Sequence, residues 1–590
     1  MVTWHAAARL GDSRHYSLAV AEPSYVFARA AESIRGWREL TINARRADNN
    51  WPIPGRLGWL PCLATSMLWA ALAGCGGSGT GGGAGAQNIV TESGPLRGIT
   101  KGQVDEYLGI PYAAPPVGDL RWMPPRAFGK WPGVFQATQF GNVCSQESGD
   151  QVAGSENCLF LNVYAPHDRK KRSPVLPVMV WIHGGGLTGE SGDMFDPSPL
   201  VEHGNLIVVT INYRLGLLGF FAHPAIDGEG HPSGNYGLMD QQFALEWVQQ
   251  NIHAFGGNNQ LVTLFGQSAG GQATLCNLAS PTAAGLFQRV IIESGSFTFT
   301  DYLGEIVTVA VGETVGTRFV PSGIALATAL GCPDQTAECL RNISPANLVG
   351  LRLNTINVVD PFVDGALLAQ TPKAALASGQ FNRVPVISGT NHDEYRLFVA
   401  FEYDLSGAPL MNSEYPTAVD ELYGPVIGPM VLGVYPLPAS PPANAASLAL
   451  GAAGTDGIFS CPAREADQSL SRYVTTYAYE FNDENAPPEI GLSNLSFPLG
   501  AFHDAEQEYL MNVSLFPLPP GFTPNQQRLS QTMMTYWTNF AKTGDPNSAG
   551  VPTWAPYSSA ADQFQSLIPP EPTVESSFAT DHLCTTFWQP

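Results

Sequence analysis

The chain has 590 residues, 44% of them hydrophobic, and carries a formal net charge of −22 at pH 7. That charge excludes a nucleic-acid partner, whose phosphates need a basic surface, and it repels anionic lipid headgroups. The apolar content is enough for a large core, in one oversized α/β domain or in two or three smaller ones.

In chain order, residues 1–55 carry scattered charges such as Arg35, Arg38, Arg45 and Arg46. They read as an extension ahead of a true start near residue 50, or as disorder. Residues 56–75 read as a signal peptide. Arg56 supplies the positive charge, and the apolar run from Leu57 to Leu72 is shorter than the ~20 residues that span a bilayer. The run ends in Leu72-Ala73-Gly74-Cys75, which resembles the lipobox of bacterial lipoproteins, whose cysteine is lipidated. Residues 76–87 are a Gly-rich tether by composition. This order of parts predicts an exported protein, lipid-anchored to the bacterial envelope and touching the membrane only through Cys75. A low-complexity Ala/Gly stretch is the alternative.

From residue 88 onward, short apolar runs alternate with longer helical patterns, the signature of a mostly parallel sheet covered on both faces. Buried strands are predicted at Val178 to Ile182, Leu206 to Ile211, Val262 to Phe265, Val290 to Ile292 and Val384 to Ser388. A helix before the third strand places Leu245, Val248, Ile252 and Phe255 at helical spacing, as core residues. The Pro/Gly/Ala-rich stretch from Tyr435 to Gly454 reads as a long loop, of the kind that walls an active-site cleft.

Two segments carry chemistry. Gly266-Gln267-Ser268-Ala269-Gly270 fits GxSxG directly after an apolar strand, the form of a nucleophile elbow that exposes a serine hydroxyl above the sheet. Upstream, His183-Gly184-Gly185-Gly186 also follows an apolar strand, and three glycines leave no Cβ atoms between a substrate carbonyl and the backbone amides. Two of the nine cysteines, Cys62 and Cys75, fall in the signal segment. Among the rest, Cys332 with Cys339 and Cys144 with Cys158 are close enough to close small loops, although spacing leaves connectivity open. No pair has CxxC spacing, which favours disulfides over a zinc site.

With these motifs, the stretches LGIPYAAPPVGDLRW (Leu108 to Trp122), ENCLFLNVYAP (Glu156 to Pro166), NYRLGLLGFF (Asn212 to Phe221) and GNYGLMDQQFALEWVQQNIHAFGGN (Gly234 to Asn258) make the chain resemble the type-B carboxylesterases, the cholinesterase-like branch of the α/β-hydrolase fold. The resemblance covers nearly everything from Gly98 to Pro590 and implies one catalytic domain over residues 88–590, an α/β-hydrolase sheet with loop and helical insertions around the cleft. It implies Ser268 as nucleophile, His503 of Gly500-Ala501-Phe502-His503 as base, with Glu506 three residues on, and Glu394 of Asn391-His392-Asp393-Glu394 as acid, with Asp393 as competitor. The N–H groups of Gly185, Gly186 and Ala269 would form the oxyanion hole. His183 and His392 then read as structural or loop histidines. Disulfides are implied for Cys144 with Cys158, Cys332 with Cys339, and Cys461 with Cys584, leaving Cys276 as a buried small hydrophobe.

Three departures from the family pattern stand out. Gln267 replaces the usual Glu before the nucleophile and removes a negative charge from the pocket. The Cys144 to Cys158 segment contains no tryptophan, so the cation-stacking residue of cholinesterases is missing and quaternary-ammonium substrates are disfavoured. Asn157 stands where Asp is common. The resulting expectation is a serine carboxylester hydrolase acting on neutral short- to medium-chain esters, with no metal and no organic cofactor. A lipase, carbamate hydrolase or amidase would use the same triad, and a non-catalytic adhesion module of this fold would lack part of it.

Overall fold

In the computed structural model, the described residues are 88–589, apart from 150, 169–174, 301–305, 318–319, 352–358, 489–491, 493 and 514–520. All of them belong to the second of two compact units, 81–590. The signal segment, Cys75 and the tether lie outside the described residues.

Eleven strands form the central sheet: β1 (Ile99–Lys101), β2 (Val104–Pro111), β3 (Phe160–Pro166), β4 (Leu176–Ile182), β5 (Ile207–Ile211), β6 (Gly257–Gln267), β7 (Arg289–Glu293), β8 (Val386–Asn391), β9 (Thr476–Phe481), β10 (Phe564–Leu567) and β11 (Thr573–Glu575). Their spatial order is β11-β10-β9-β8-β7-β6-β4-β5-β3-β2-β1. Pairing is parallel from β5 through β10 and antiparallel at both ends. Each predicted strand is present, lengthened by a residue or more at one or both ends except at Leu206 and Val384, where the strands start later.

Strand β4 explains why these runs are uninterruptedly apolar. Val178, Val180 and Ile182 enter one core cluster, whereas Met179 and Trp181 enter the other on the opposite face. Alternate side chains point to opposite faces, so a strand covered on both sides has no polar position to spare. Each buried Val or Ile contributes about 1.5–3 kcal/mol.

The chain leaves β4 for β5 on one side and returns to place β6 on the other. Strand order reverses there, and the loops after β4 and β6 diverge at the carboxyl ends, where open α/β sheets bind ligands. Helix α1 (Tyr236–Asn251) and the 3-10 turn Ile252–Phe255 bury Leu245, Val248, Ile252 and Phe255 completely, as the periodicity requires. One expectation is corrected: Ala445–Gly454, read as loop, is an α-helix. Its alanines are strong helix formers, and Ala446, Leu450 and Ala453 pack into the core, offsetting the cost of the glycines. No helix among the described residues is long and apolar enough to cross a membrane.

Three disulfides close Cys144–Cys158, Cys332–Cys339 and Cys461–Cys584. They are the bonds of a chain that folds in an oxidising compartment. Cys276 is a free, buried thiol whose pKa is pushed up by desolvation, an inert packing residue.

Candidate active site

Ser268 sits between β6 and helix α2 (Ala269–Ala279) with φ 55° and ψ −125°, a conformation that costs about 1–3 kcal/mol in a non-glycine residue. The backbone closes the turn: Ser268 N–H donates to the Glu293 carbonyl at 2.9 Å, and Gln272 N–H donates to the Ser268 carbonyl at 2.8 Å. The flanking glycines are sterically required. A Cβ on Gly266 would lie 2.6 Å from the Ile182 carbonyl oxygen, and one on Gly270 would lie 2.0 Å from the same atom. The turn therefore passes directly over the end of β4, and Ser268 itself stays half-buried.

The glycine loop that follows β4 lies against this serine, since a Cβ on Gly184 would come within 3.2 Å of the Ser268 Cβ. Gly185 and Gly186 take φ 76° and 62°, and Glu190 anchors the loop by accepting the Gly184 N–H at 3.1 Å. Among the described residues, no protein acceptor takes the N–H groups of Gly185, Gly186 or Ala269. His183 is not part of the chemistry: it is buried, stacked on Tyr213 at 4.4 Å, and burial lowers its pKa to about 3. That makes it a neutral structural histidine.

Glu394 is completely buried just beyond β8. Its Oε1 accepts from Ser294 Oγ at 2.6 Å, Thr390 Oγ1 at 2.7 Å and the Asn391 N–H at 2.7 Å. These three donors fix the carboxylate so that Oε2 meets His503 Nδ1. Asp393 points elsewhere: Ala501 N–H donates to its Oδ2 at 3.0 Å and Arg396 pairs with Oδ1 at 2.7 Å. The same carboxylate explains Gly500, where a Cβ would lie 2.0 Å from Asp393 Oδ2. Glu506 accepts from Asn391 Nδ2 at 2.5 Å, and burial raises its pKa strongly, so it holds the β8 loop rather than the base.

Around His503 Nε2 the structure adds what the sequence did not announce. Gln267 brings its Nε2 to 3.3 Å from this nitrogen, and Asp504 Oδ1 lies 3.6 Å away. Gln267 does remove a charge at its own position, but Asp504, held at φ 78°, brings one back beside His503. Its only sequence signal was adjacency to His503. Burial pulls the His503 pKa down, yet the carboxylates of Asp504, Glu394 and Glu506 outweigh it and raise the value to about 9. The rings of Phe398 and Phe459 flank the imidazole at 5.1 Å each and form an apolar wall.

The profile of the Carboxylesterase family matches residues 85–585. The chain belongs to this family. A rat pyrethroid hydrolase, Ces2e, is 33% identical over 537 residues, covering 85% of this chain and 89% of that protein. A mouse acylcarnitine hydrolase is 35% identical over 480 residues, covering 77% and 82%. Among solved structures, a PNB esterase superposes with a TM-score of 0.70 at 30% identity, covering 85% of this chain and 99% of its own. The protein is a carboxylesterase, a serine carboxylester hydrolase with the α/β-hydrolase fold.

The electrostatics of this carboxylesterase predict a pH profile. If His503 acts as the base, its neutral form accepts the proton, and kcat/KM is expected to climb as pH rises through its pKa. Asp504 heads the carboxylates that raise that pKa. Asp504→Asn is expected to move the acidic limb of kcat/KM to lower pH by about one unit. The check is kcat/KM measured across the pH range for both proteins; an unmoved limb would show that Nε2 does not feel this carboxylate.

Proposed function

We propose that Ser268 is the nucleophile, His503 the general base and Glu394 its acid partner, with the N–H groups of Gly185, Gly186 and Ala269 as the oxyanion hole. The observation that carries this reading is the Ser268 elbow seated against the glycine loop, with the buried Glu394–His503 pair reaching Gln267, the residue before the serine. His503 Nε2 takes the Ser268 proton as Oγ attacks the ester carbonyl, and Glu394 keeps the proton on Nδ1 and stabilises the imidazolium. Preorganised amides hold the developing oxyanion, each worth on the order of 3 kcal/mol of barrier. The imidazolium then protonates the departing alcohol, and water repeats the cycle on the acyl-enzyme. None of these steps requires a metal or an organic cofactor.

The substrate reading is a neutral carboxylic ester of short to medium chain length. Phe398 and Phe459 favour apolar groups beside the base, and the Cys144–Cys158 segment lacks a tryptophan to stack a quaternary ammonium. A series of p-nitrophenyl esters from acetate to palmitate, run with fluorophosphonate labelling, tests the proposal. Turnover peaking at short or medium chains with one labelled serine is expected; a maximum at palmitate would mean a lipase-like pocket, and neither turnover nor label would overturn the assignment.

For cellular placement, the reading is that residues 88–590 form the catalytic domain, tethered by residues 76–87 to a lipid on Cys75 after removal of the signal segment. The bacterial envelope is its place. Cys75→Ser is expected to release the protein into the soluble fraction, followed by immunoblotting of fractionated cells. An unchanged membrane fraction would refute the anchor.

A further inference from the structure

Beyond the proposed triad, the described residues contain a second cluster of titratable side chains, two buried and one half-buried, at the junction of the β8 loop, β9 and the C-terminal segment. His392, Glu480 and His582 each place one ligating atom so that all three atoms lie within 4.8 Å of one another. His582 Nε2 is 2.5 Å from Glu480 Oε1, and its Nδ1 is 2.5 Å from Asp456 Oδ1. His392 Nδ1 lies 3.3 Å from Asp393 Oδ1, a poorly aligned contact that leaves this buried nitrogen without a hydrogen bond.

The pattern around His582 is that of a metal-ligating histidine, which usually presents one nitrogen to the metal and the other to a carboxylate that orients the ring. Asp456 does this for His582, whose Nε2 faces Glu480, while His392 brings a further imidazole nitrogen to the same cluster. Asn482 Nδ2 donates to Glu480 Oε2 at 2.9 Å and to Glu575 Oε2 at 3.3 Å, which sets a second carboxylate beside the cluster. Two imidazoles and a carboxylate with a nearby fourth oxygen form a donor set suited to Zn²⁺.

The donor separations bracket those of a tetrahedral ion. Zinc ligands at ~2.0–2.2 Å place tetrahedral donor atoms about 3.4 Å apart, so the His582–Glu480 pair must open, and the more distant donor atoms approach, by movements on the order of 1 Å. His392 can supply the approach: its side chain is 37% exposed and sits in the turn after β8, which also gives the ion a route in from solvent.

We propose that His392, Glu480 and His582 form a structural Zn²⁺ site, with Glu575 or water as fourth ligand, separate from the ester-cleaving centre. On binding, Zn²⁺ displaces the proton shared between His582 Nε2 and Glu480, which leaves to solvent, while the Asp456 contact keeps Nδ1 protonated. The ion ties β9 and the β8 loop to the C-terminal segment, next to the Cys461–Cys584 disulfide.

The test uses the untagged full-length chain, stripped of metal by chelator dialysis and then titrated with Co²⁺ and Zn²⁺. One equivalent of Co²⁺ with tetrahedral d–d absorption, displaced by Zn²⁺, is expected, together with a rise in Tm of roughly 3 °C at a hundredfold excess over Kd. His392→Ala leaves the His582 contacts to Asp456 and Glu480 in place, and should weaken binding at least tenfold while far-UV circular dichroism stays native. His253→Ala, at an exposed histidine, should change nothing. Absence of the Co²⁺ spectrum and of the Tm shift would overturn the proposal, as would undiminished binding in His392→Ala.

Discussion

Ser268→Ala is expected to lower kcat for p-nitrophenyl butyrate by about a millionfold, the scale on which serine hydrolases lose activity when the nucleophile is removed. The side chain contributes a single oxygen, and nothing else at the elbow can form the acyl-enzyme. The turn should survive the change. Its shape comes from Gly266 and Gly270 packing against the Ile182 carbonyl and from the 2.9 Å bond to Glu293, all of which alanine leaves in place. Alanine must still adopt φ 55°, so the strain neither appears nor disappears. Steady-state kinetics, fluorophosphonate labelling and circular dichroism together decide the matter. Retained turnover with a native spectrum would remove Ser268 from the chemistry.

Glu394→Gln is expected to cost about 10⁴-fold in kcat with little change in KM. Three donors, from Ser294, Thr390 and Asn391, hold Oε1 of Glu394. In the glutamine variant the amide oxygen takes those donors and the NH₂ faces His503 Nδ1. The imidazole must then accept at Nδ1 and carry its proton on Nε2, the tautomer that cannot take a proton from Ser268. The lost charge also removes one of the carboxylates that raise the His503 pKa, so the acidic limb of the pH profile should fall as kcat falls. A variant within tenfold of the wild type would transfer the role to another acid, with Asp393 the first to examine.

These expectations rest on parts of very different legibility. The elbow could be read directly because its constraint is local: an apolar strand, a glycine two residues before the serine and another two after it. The glycine loop was equally plain for the same reason. Glu394 was distinguished from Asp393 only through the family pattern, because both are acids on one turn. The structure separates them by their partners, Asp393 being occupied by Arg396 and the Ala501 amide. The helix Ala445–Gly454 was misread because glycine and nearby prolines suggested a loop, whereas the burial of Leu450 and Ala453 decides its form.

The sequence by itself determined the strands, the elbow, the glycine loop and the family, since each is encoded within a window of neighbouring residues. Tertiary structure decided which charges meet. His503 joins Glu394 across 109 positions and Gln267 across 236, while His582 joins Asp456 across 126. Such meetings depend on the register of parallel strands and on closure of long loops, whose entropic cost grows only slowly with length and so leaves no local mark. Asp504 shows the difference most sharply: composition says only that it is an acid beside a histidine, and the fold turns its carboxylate to within 3.6 Å of His503 Nε2.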